Sequence, residues 1–309
     1  MSKTSEELFR QIQAEFDRRT QGEGSMDELN KIAAEVTARH NRTGIAEFEG
    51  LSPEQMYAIH YKQFMPECPV RFSENISPDT IIASPVIQAS RVILDAIEKE
   101  NGLKLTVRGN LPRRVVNDIF SLVLVPDQRE GRYRLKVLNE FDYYPAAVIN
   151  ALLKVAGITK VKNNRMQFTR KGCKLIRDNM QLFKAVFTTF TSRYNKGYLD
   201  GYGDNEIGNA GLLYVIYLLH RYGTQKREET FYARLYFRAF PELIDEIERP
   251  FYSTPEQIAY NCLTLRVFDK GLHLFGLIDI TYTSRDYLTR SALINTTPLF
   301  HHVFDISGE

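Results

Sequence analysis

Thr4-Ser-Glu-Glu7, Ser25-Met-Asp-Glu28, Ser52-Pro-Glu-Gln55 and Thr254-Pro-Glu-Gln257 each set a Ser or Thr three residues ahead of a Glu or Gln. At that spacing the hydroxyl accepts from the third backbone N–H while the Glu or Gln side chain reaches back, so each box starts a helix. Two boxes also carry Pro at the first helical position, where its missing N–H costs nothing. Repeated helix starts of this kind commit the chain to a mainly α, α+β fold. After Thr4, the residues Leu8, Ile12 and Phe16 fall four apart and give one apolar stripe to bury. Residues 1–100 read as a helical N-terminal region, with Gln21–Gly24 as a linker. Cys68–Ser84 reads as an ordered loop that crosses to a helix from Pro85 to Glu100.

A chain of 309 residues with 43% apolar content buries a core without staples. Its three cysteines, Cys68, Cys173 and Cys262, form no CxxC pair and read as buried thiols of a reducing compartment. The first residues, MSKTSEELFRQIQAEFDRR, lack the apolar block of a signal peptide, and the longest uncharged apolar run, Ala210–Leu219, is half of what a membrane span needs. The expectation is a cytoplasmic location without a membrane partner.

The net charge of +2 hides an uneven distribution. Residues 1–100 hold 11 basic and 17 acidic side chains, residues 101–200 hold 19 and 7, and residues 201–309 hold 10 and 14, so the net charges are −6, +12 and −4. A basic block between acidic ones is expected of a polyanion-binding module on a solubilising body. A solvated surface that is merely basic gives the same count.

Within the basic block, Leu103–Val107 alternates as a strand, and Asn110 is placed to cap a helix Pro112–Phe120. A second helix, Tyr144–Val155, ends at Gly157, and two short strands flank Asn163-Asn164 as a hairpin. Thr169-Arg-Lys-Gly172 then opens a helix running to about Tyr194, followed by helices Ile207–Tyr222, capped by Asp204, and Glu228–Phe240. The order strand, helix, helix, glycine stop, hairpin, helix resembles a winged helix-turn-helix unit, and Phe168-Thr-Arg-Lys-Gly172 is similar to the exit of bacterial winged-helix regulators. Setting Gly157 over Gly276 aligns Leu153, Val155, Ile158 and Val161 with Leu272, Leu274, Leu277 and Ile280, a degenerate second copy with a longer wing. The expected organisation is a winged-helix-like basic domain at 101–180, a helical middle at 181–253 and a degenerate second winged-helix-like unit at 254–309.

The phrases Gly102-Leu-Lys-Leu-Thr-x-x-Gly109-Asn-Leu-Pro-Arg113, Tyr198-Leu-Asp-Gly-Tyr202 and Gly50-Leu-Ser-Pro-Glu-Gln-Met56 resemble an uncharacterised bacterial protein family. That resemblance implies a bacterial or phage origin and a cytosolic setting. It supplies no catalytic residues.

A winged helix docks its second helix in the major groove while the wing and the N-terminus of the preceding helix meet phosphates. The candidate nucleic-acid-binding residues are Arg113 and Arg114 at that N-terminus, Lys160, Lys162, Asn163, Asn164 and Arg165 on the wing, and Arg170, Lys171 and Lys174 beyond it. Arg129, Arg132, Arg134 and Lys136 form a further basic cluster. The reading helix offers only Tyr143, Tyr144, Asn150 and Lys154 as hydrogen-bonding side chains, so phosphate contacts with little base discrimination are expected. The alternative is a protein-interaction scaffold whose winged helices are docking units.

No GxSxG, GxxxxGK[ST], HExxH or GxGxxG occurs, and none of the six histidines stands four residues from another. The reading is accordingly non-enzymatic, with no cofactor. In Asp200-Gly-Tyr-Gly-Asp204-Asn-Glu206-Ile-Gly208, three carboxylates on a glycine-rich loop have the chemistry of a divalent-metal site, but the spacing fits no EF-hand and Asp204 suits a helix cap equally. The long aromatic run Phe231–Phe240 is periodic and reads as core packing.

Overall fold

The capping boxes at Ser25 and Ser52 are closed in both directions: Ser25 N donates to Glu28 Oε2 at 2.8 Å and Ser52 N to Gln55 Oε1 at 2.8 Å. Thr254 caps its helix through Gln257 N at 3.2 Å, but the Gln257 amide turns forward to Asn261. Thr4 falls inside a helix that starts at Lys3. These starts belong to a computed structural model that describes residues 3–74, 76–122, 124, 139–198, 200–247, 253–284 and 291–307. Among them the protein is mainly helical, with three small antiparallel sheets.

The chain divides into two compact units, Met1–Pro69 with Ser307–Glu309, and Val70–Ile306. In the first, helices Lys3–Thr20 and Met26–Arg42 form a hairpin and Pro53–Tyr61 follows. The turn is tight because Gly24 lies on Phe16, where a Cβ would come within 2.6 Å of the ring. Arg19 bridges the two helices between Glu15 and Glu35, and Ile32, Val36, Met56 and Ile59 are buried.

The second unit contains one arrangement twice. Helix Pro85–Lys99, strand Leu103–Lys104, helices Arg113–Phe120 and Tyr144–Val155, and the hairpin Thr159–Lys162/Arg165–Phe168 come first. Their sheet places Arg165–Phe168 in the centre. Helix Leu212–Tyr222, strand Arg227–Glu228, helix Glu229–Ala239, a helix Pro255–Leu263 continued as a π-helix over Thr264–Leu272, and the hairpin Ile278–Tyr282/Ala292–Thr296 repeat that order, with Ala292–Thr296 central.

The joints agree bond for bond. Gly157 and Gly276 both take left-handed backbone, with φ of 68° and 75°. Ile158 N donates to Leu153 O and Leu277 N to Leu272 O, each at 3.0 Å. The exit threonines Thr169 and Thr297 donate their hydroxyls to Gly157 O at 2.6 Å and Gly276 O at 2.7 Å, and both cap the next helix. The joints at Gly157 and Gly276 therefore share one local hydrogen-bond pattern, although the second sheet draws its first strand from Arg227–Glu228, upstream of the segment read as the second copy.

Other local readings change. The strand at Leu103 ends after Lys104, because Leu105 N pairs with Asn164 O and the chain then turns on Thr106, whose N donates to Asn110 O. The next helix starts at Arg113 after Pro112 and not at an Asn110 cap. Asp204 does not cap that helix, which begins at Leu212 behind Gly211. The segment read as a loop before Pro85 holds the strand Val70–Phe72, which pairs with Phe304–Ile306, and the helix Pro78–Ile82. The helix after Thr169 stops at Leu175, and Asp178 caps a separate one, Asn179–Ser192. Phe183, Phe187 and Phe190 of this last helix meet Phe275 at ring distances of 5.0–5.8 Å and centre the core.

Candidate nucleic-acid interface

The first hairpin turns on Asn163 and Asn164, whose φ values of 51° and 54° are those of a type I′ turn. This turn fixes the register, with Lys162 opposite Arg165, Val161 opposite Met166 and Lys160 opposite Gln167. Across the central strand, Lys104 faces Arg165 and Leu103 faces Met166. Side chains alternate between faces, so Leu103 and Met166 enter the core while Lys104, Arg165 and Lys162 form one row on the outer face, with Lys160 beside them. Strands lie about 4.8 Å apart, which spaces the cations like rungs. Arg165 is steadied by a 2.6 Å bond from Nη1 to the neutral acceptor Gly102 O and forms no ion pair among the described residues. Lys104 was missed by the sequence reading, although Leu103-Lys104-Leu105 alternates and already puts it on the polar face.

The other candidates divide. Arg170 and Lys174 are exposed and pair with no carboxylate among the described residues. Lys171 donates to Ala156 O at 2.9 Å, at the carboxyl end of helix Tyr144–Val155 where a cation is favoured. Asn164 Nδ2 donates to Leu105 O at 3.2 Å and locks the hairpin tip to the neighbouring turn, while Asn163 is exposed. Arg113 contacts Asn139 Oδ1 at 3.3 Å, and Arg114 is neutralised by Glu100. Arg129, Arg132, Arg134 and Lys136 lie outside the described residues.

The helix expected to read bases is not available to do so. Residues Pro145–Asn150, Leu152 and Leu153 are all buried. Asn150 Nδ2 donates to Glu140 Oε1 at 2.6 Å, and Glu140 Oε2 accepts Leu111 N at 2.6 Å, so a buried carboxylate is held by neutral donors. Tyr144 donates to Asp269 O at 3.3 Å on the π-helix of the second copy, and burial raises its phenol pKa. Lys154 is held below the usual lysine range by burial, against the pull of Glu140.

The glycine-rich acidic loop wraps an arginine. Arg266 is 1% exposed, and its guanidinium donates to Asp200 Oδ2, Asn205 O and Oδ1, Ile207 O and Gly203 O. Asp204 and Glu206 are exposed, and Glu206 N donates to Glu246. Among the described residues no group of three His, Cys, Asp or Glu is placed to hold a metal ion. Beside the loop, Lys196 is buried with Nζ 5.0 Å from the Phe190 ring centre, and burial lowers its pKa to about 7, Glu206 opposing and Arg266 reinforcing.

No helix among the described residues is long and apolar enough to cross a membrane. Residues 82–181 match the model of the Y4jL N-terminal domain family, an uncharacterised family. The match runs from just before helix Pro85–Lys99 through the first hairpin to the start of helix Asn179–Ser192. No curated protein and no solved structure matches the chain.

Proposed function

We propose that the protein binds nucleic acid through the phosphate backbone, using the outer face of its first three-stranded sheet as the wing of a winged-helix-like unit. The observation that carries this reading is the row Lys104, Arg165 and Lys162 with Lys160 beside it, free of carboxylate partners among the described residues. Support for the winged-helix assignment comes from the order of elements and from the central position of the last strand. Because helix Tyr144–Val155 is spent on packing, base edges in the major groove have no reader, and binding is indifferent to sequence.

The test is a salt titration of duplex binding by the full chain. The wild type binds at low salt, and log K falls linearly with log salt. Replacing Lys160, Lys162 and Arg165 by Ala weakens binding to unrelated duplexes by similar factors and flattens the slope by about three charges. Absence of binding to any duplex at about 50 mM salt removes the proposal. The burial of helix Tyr144–Val155 favours a second reading, in which the two copies are protein-docking units; heparin and duplex affinity that barely changes with salt would select it.

A further inference from the structure

Of the large apolar side chains among the described residues, Val107 is the most exposed, at 101%. It holds the second position of a four-residue turn, Thr106–Gly109, which Gly109 N closes by donating to Thr106 O at 2.9 Å. Below the turn, Thr106 N donates to Asn110 O at 2.9 Å and Asn110 N donates to Thr106 Oγ1 at 3.0 Å. Gly109 leaves the turn with φ of 78°, a backbone that glycine adopts freely. These bonds hold Val107 at the apex, with its side chain in solvent.

The turn stands at the same end of the first sheet as the tip of the first hairpin. Lys104 pairs with Arg165, and one residue further on Leu105 N donates to Asn164 O at 3.0 Å, so the chain leaves the sheet beside Asn163-Asn164. Lys162 and Arg165 flank that tip, Arg108 follows Val107 in the turn, and Lys104 precedes Val107 by three residues. All four cations are exposed, and none forms an ion pair among the described residues.

An apolar apex among cations matches the minor groove of duplex DNA, where phosphates line both walls and the faces of unstacked bases are apolar. Apolar wedges that enter a base step there kink the duplex by about 20–90°. Resting on the phosphate-binding reading above, we propose that Val107 is such a wedge: the turn Thr106–Gly109 enters the minor groove, Val107 inserts between neighbouring base pairs, and the duplex bends. Arg108 lies in the groove beside it, where negative potential is concentrated. Lys104, Arg165 and Lys162 hold the backbone. The wide, shallow minor groove of duplex RNA gives a wedge no comparable grip.

A DNA duplex of about 30 base pairs with a fluorophore at each end tests this with the full chain, since energy transfer reports the bend and anisotropy reports binding in one complex. The wild type brings the ends together as a bend of about 20–90° requires. Val107→Ser binds up to about tenfold more weakly and leaves the duplex straight, whereas Val107→Phe keeps the bend. Because Val107 is fully exposed, both variants fold, which circular dichroism checks. No wild-type binding to any duplex removes the phosphate reading and the wedge together. Wild-type binding without a bend, a bend unchanged by Val107→Ser, or a bend in duplex RNA and none in DNA overturns the wedge alone.

Discussion

Arg266 is almost wholly buried, yet its guanidinium keeps a carboxylate and four neutral acceptors, the condition under which a buried charge is tolerated. The glycines around it follow from the same cage: at Gly197 a Cβ would come within 2.8 Å of the Arg266 Nη2, and Gly203 takes a φ of 77° where its carbonyl accepts from Arg266 Nη2. Asp200→Asn leaves that cation without its carboxylate, and a loss of about 3–5 kcal/mol in denaturant unfolding is expected. Lys196 behaves oppositely, because burial disfavours its charge more than Glu206 favours it. Its folded pKa, about 7, lies below its unfolded value of 10.5, so the unfolded chain binds the extra proton between those limits. Stability contributed by this residue therefore rises from pH 7 to pH 10.5 and is level below about 7. Lys196→Met abolishes that rise and is more stable than wild type at pH 7, by a few kcal/mol at most, measured as Tm or denaturant midpoint across the pH range.

Helix ends and turns are where the two copies can be compared one element at a time. Gly157 and Gly276 do the same work in ending a helix, but an added Cβ meets nothing within 4 Å at Gly157 and would stand 2.7 Å from Pro85 Cδ at Gly276. Gly157→Ala therefore costs only the left-handed backbone term, about 1 kcal/mol, and Gly276→Ala costs clearly more. Denaturant unfolding of the two variants side by side checks this, and equal losses would contradict it. The turn of the first hairpin makes a related point. Asn164→Ala keeps φ near 54° without the amide bond to Leu105 O, so a loss of about 1–2 kcal/mol is expected. Helix starts were readable in advance because a cap is local chemistry, as at Ser25 and Ser52. Asp204 misled for the complementary reason: a good cap residue in a loop has no helix to cap when Arg266, 62 positions later, organises that loop instead.

Across the whole second compact unit, two copies of one topology carry different outer faces. Where the first sheet presents Lys104, Arg165, Lys162 and Lys160, the second presents Glu228, Leu293, Thr281 and Asp279 at comparable strand positions. If phosphate binding is the function, Thr281→Ala and Asp279→Asn leave the salt slope of duplex binding unchanged, in contrast to the triple alanine variant of the first wing. A slope that moves equally for both sheets would sink the assignment of the interface. The basic middle of the sequence announced an excess of cations and the period of two placed Lys160 and Lys162 together. It did not show that Glu100 would neutralise Arg114, or that Lys104 would join the row from a strand 61 residues before Arg165. The amino-acid order by itself determined the helical class, the caps at Ser25, Ser52 and Thr254, the Asn163-Asn164 turn and the recurrence of a glycine stop followed by a threonine exit, because each is decided by neighbours within a few residues. Only the tertiary structure decided that an apolar helix suited to either burial or groove reading would be buried, and that an acidic loop would close on an arginine. These outcomes rest on partners far away in sequence, whose approach is set by packing of the whole core.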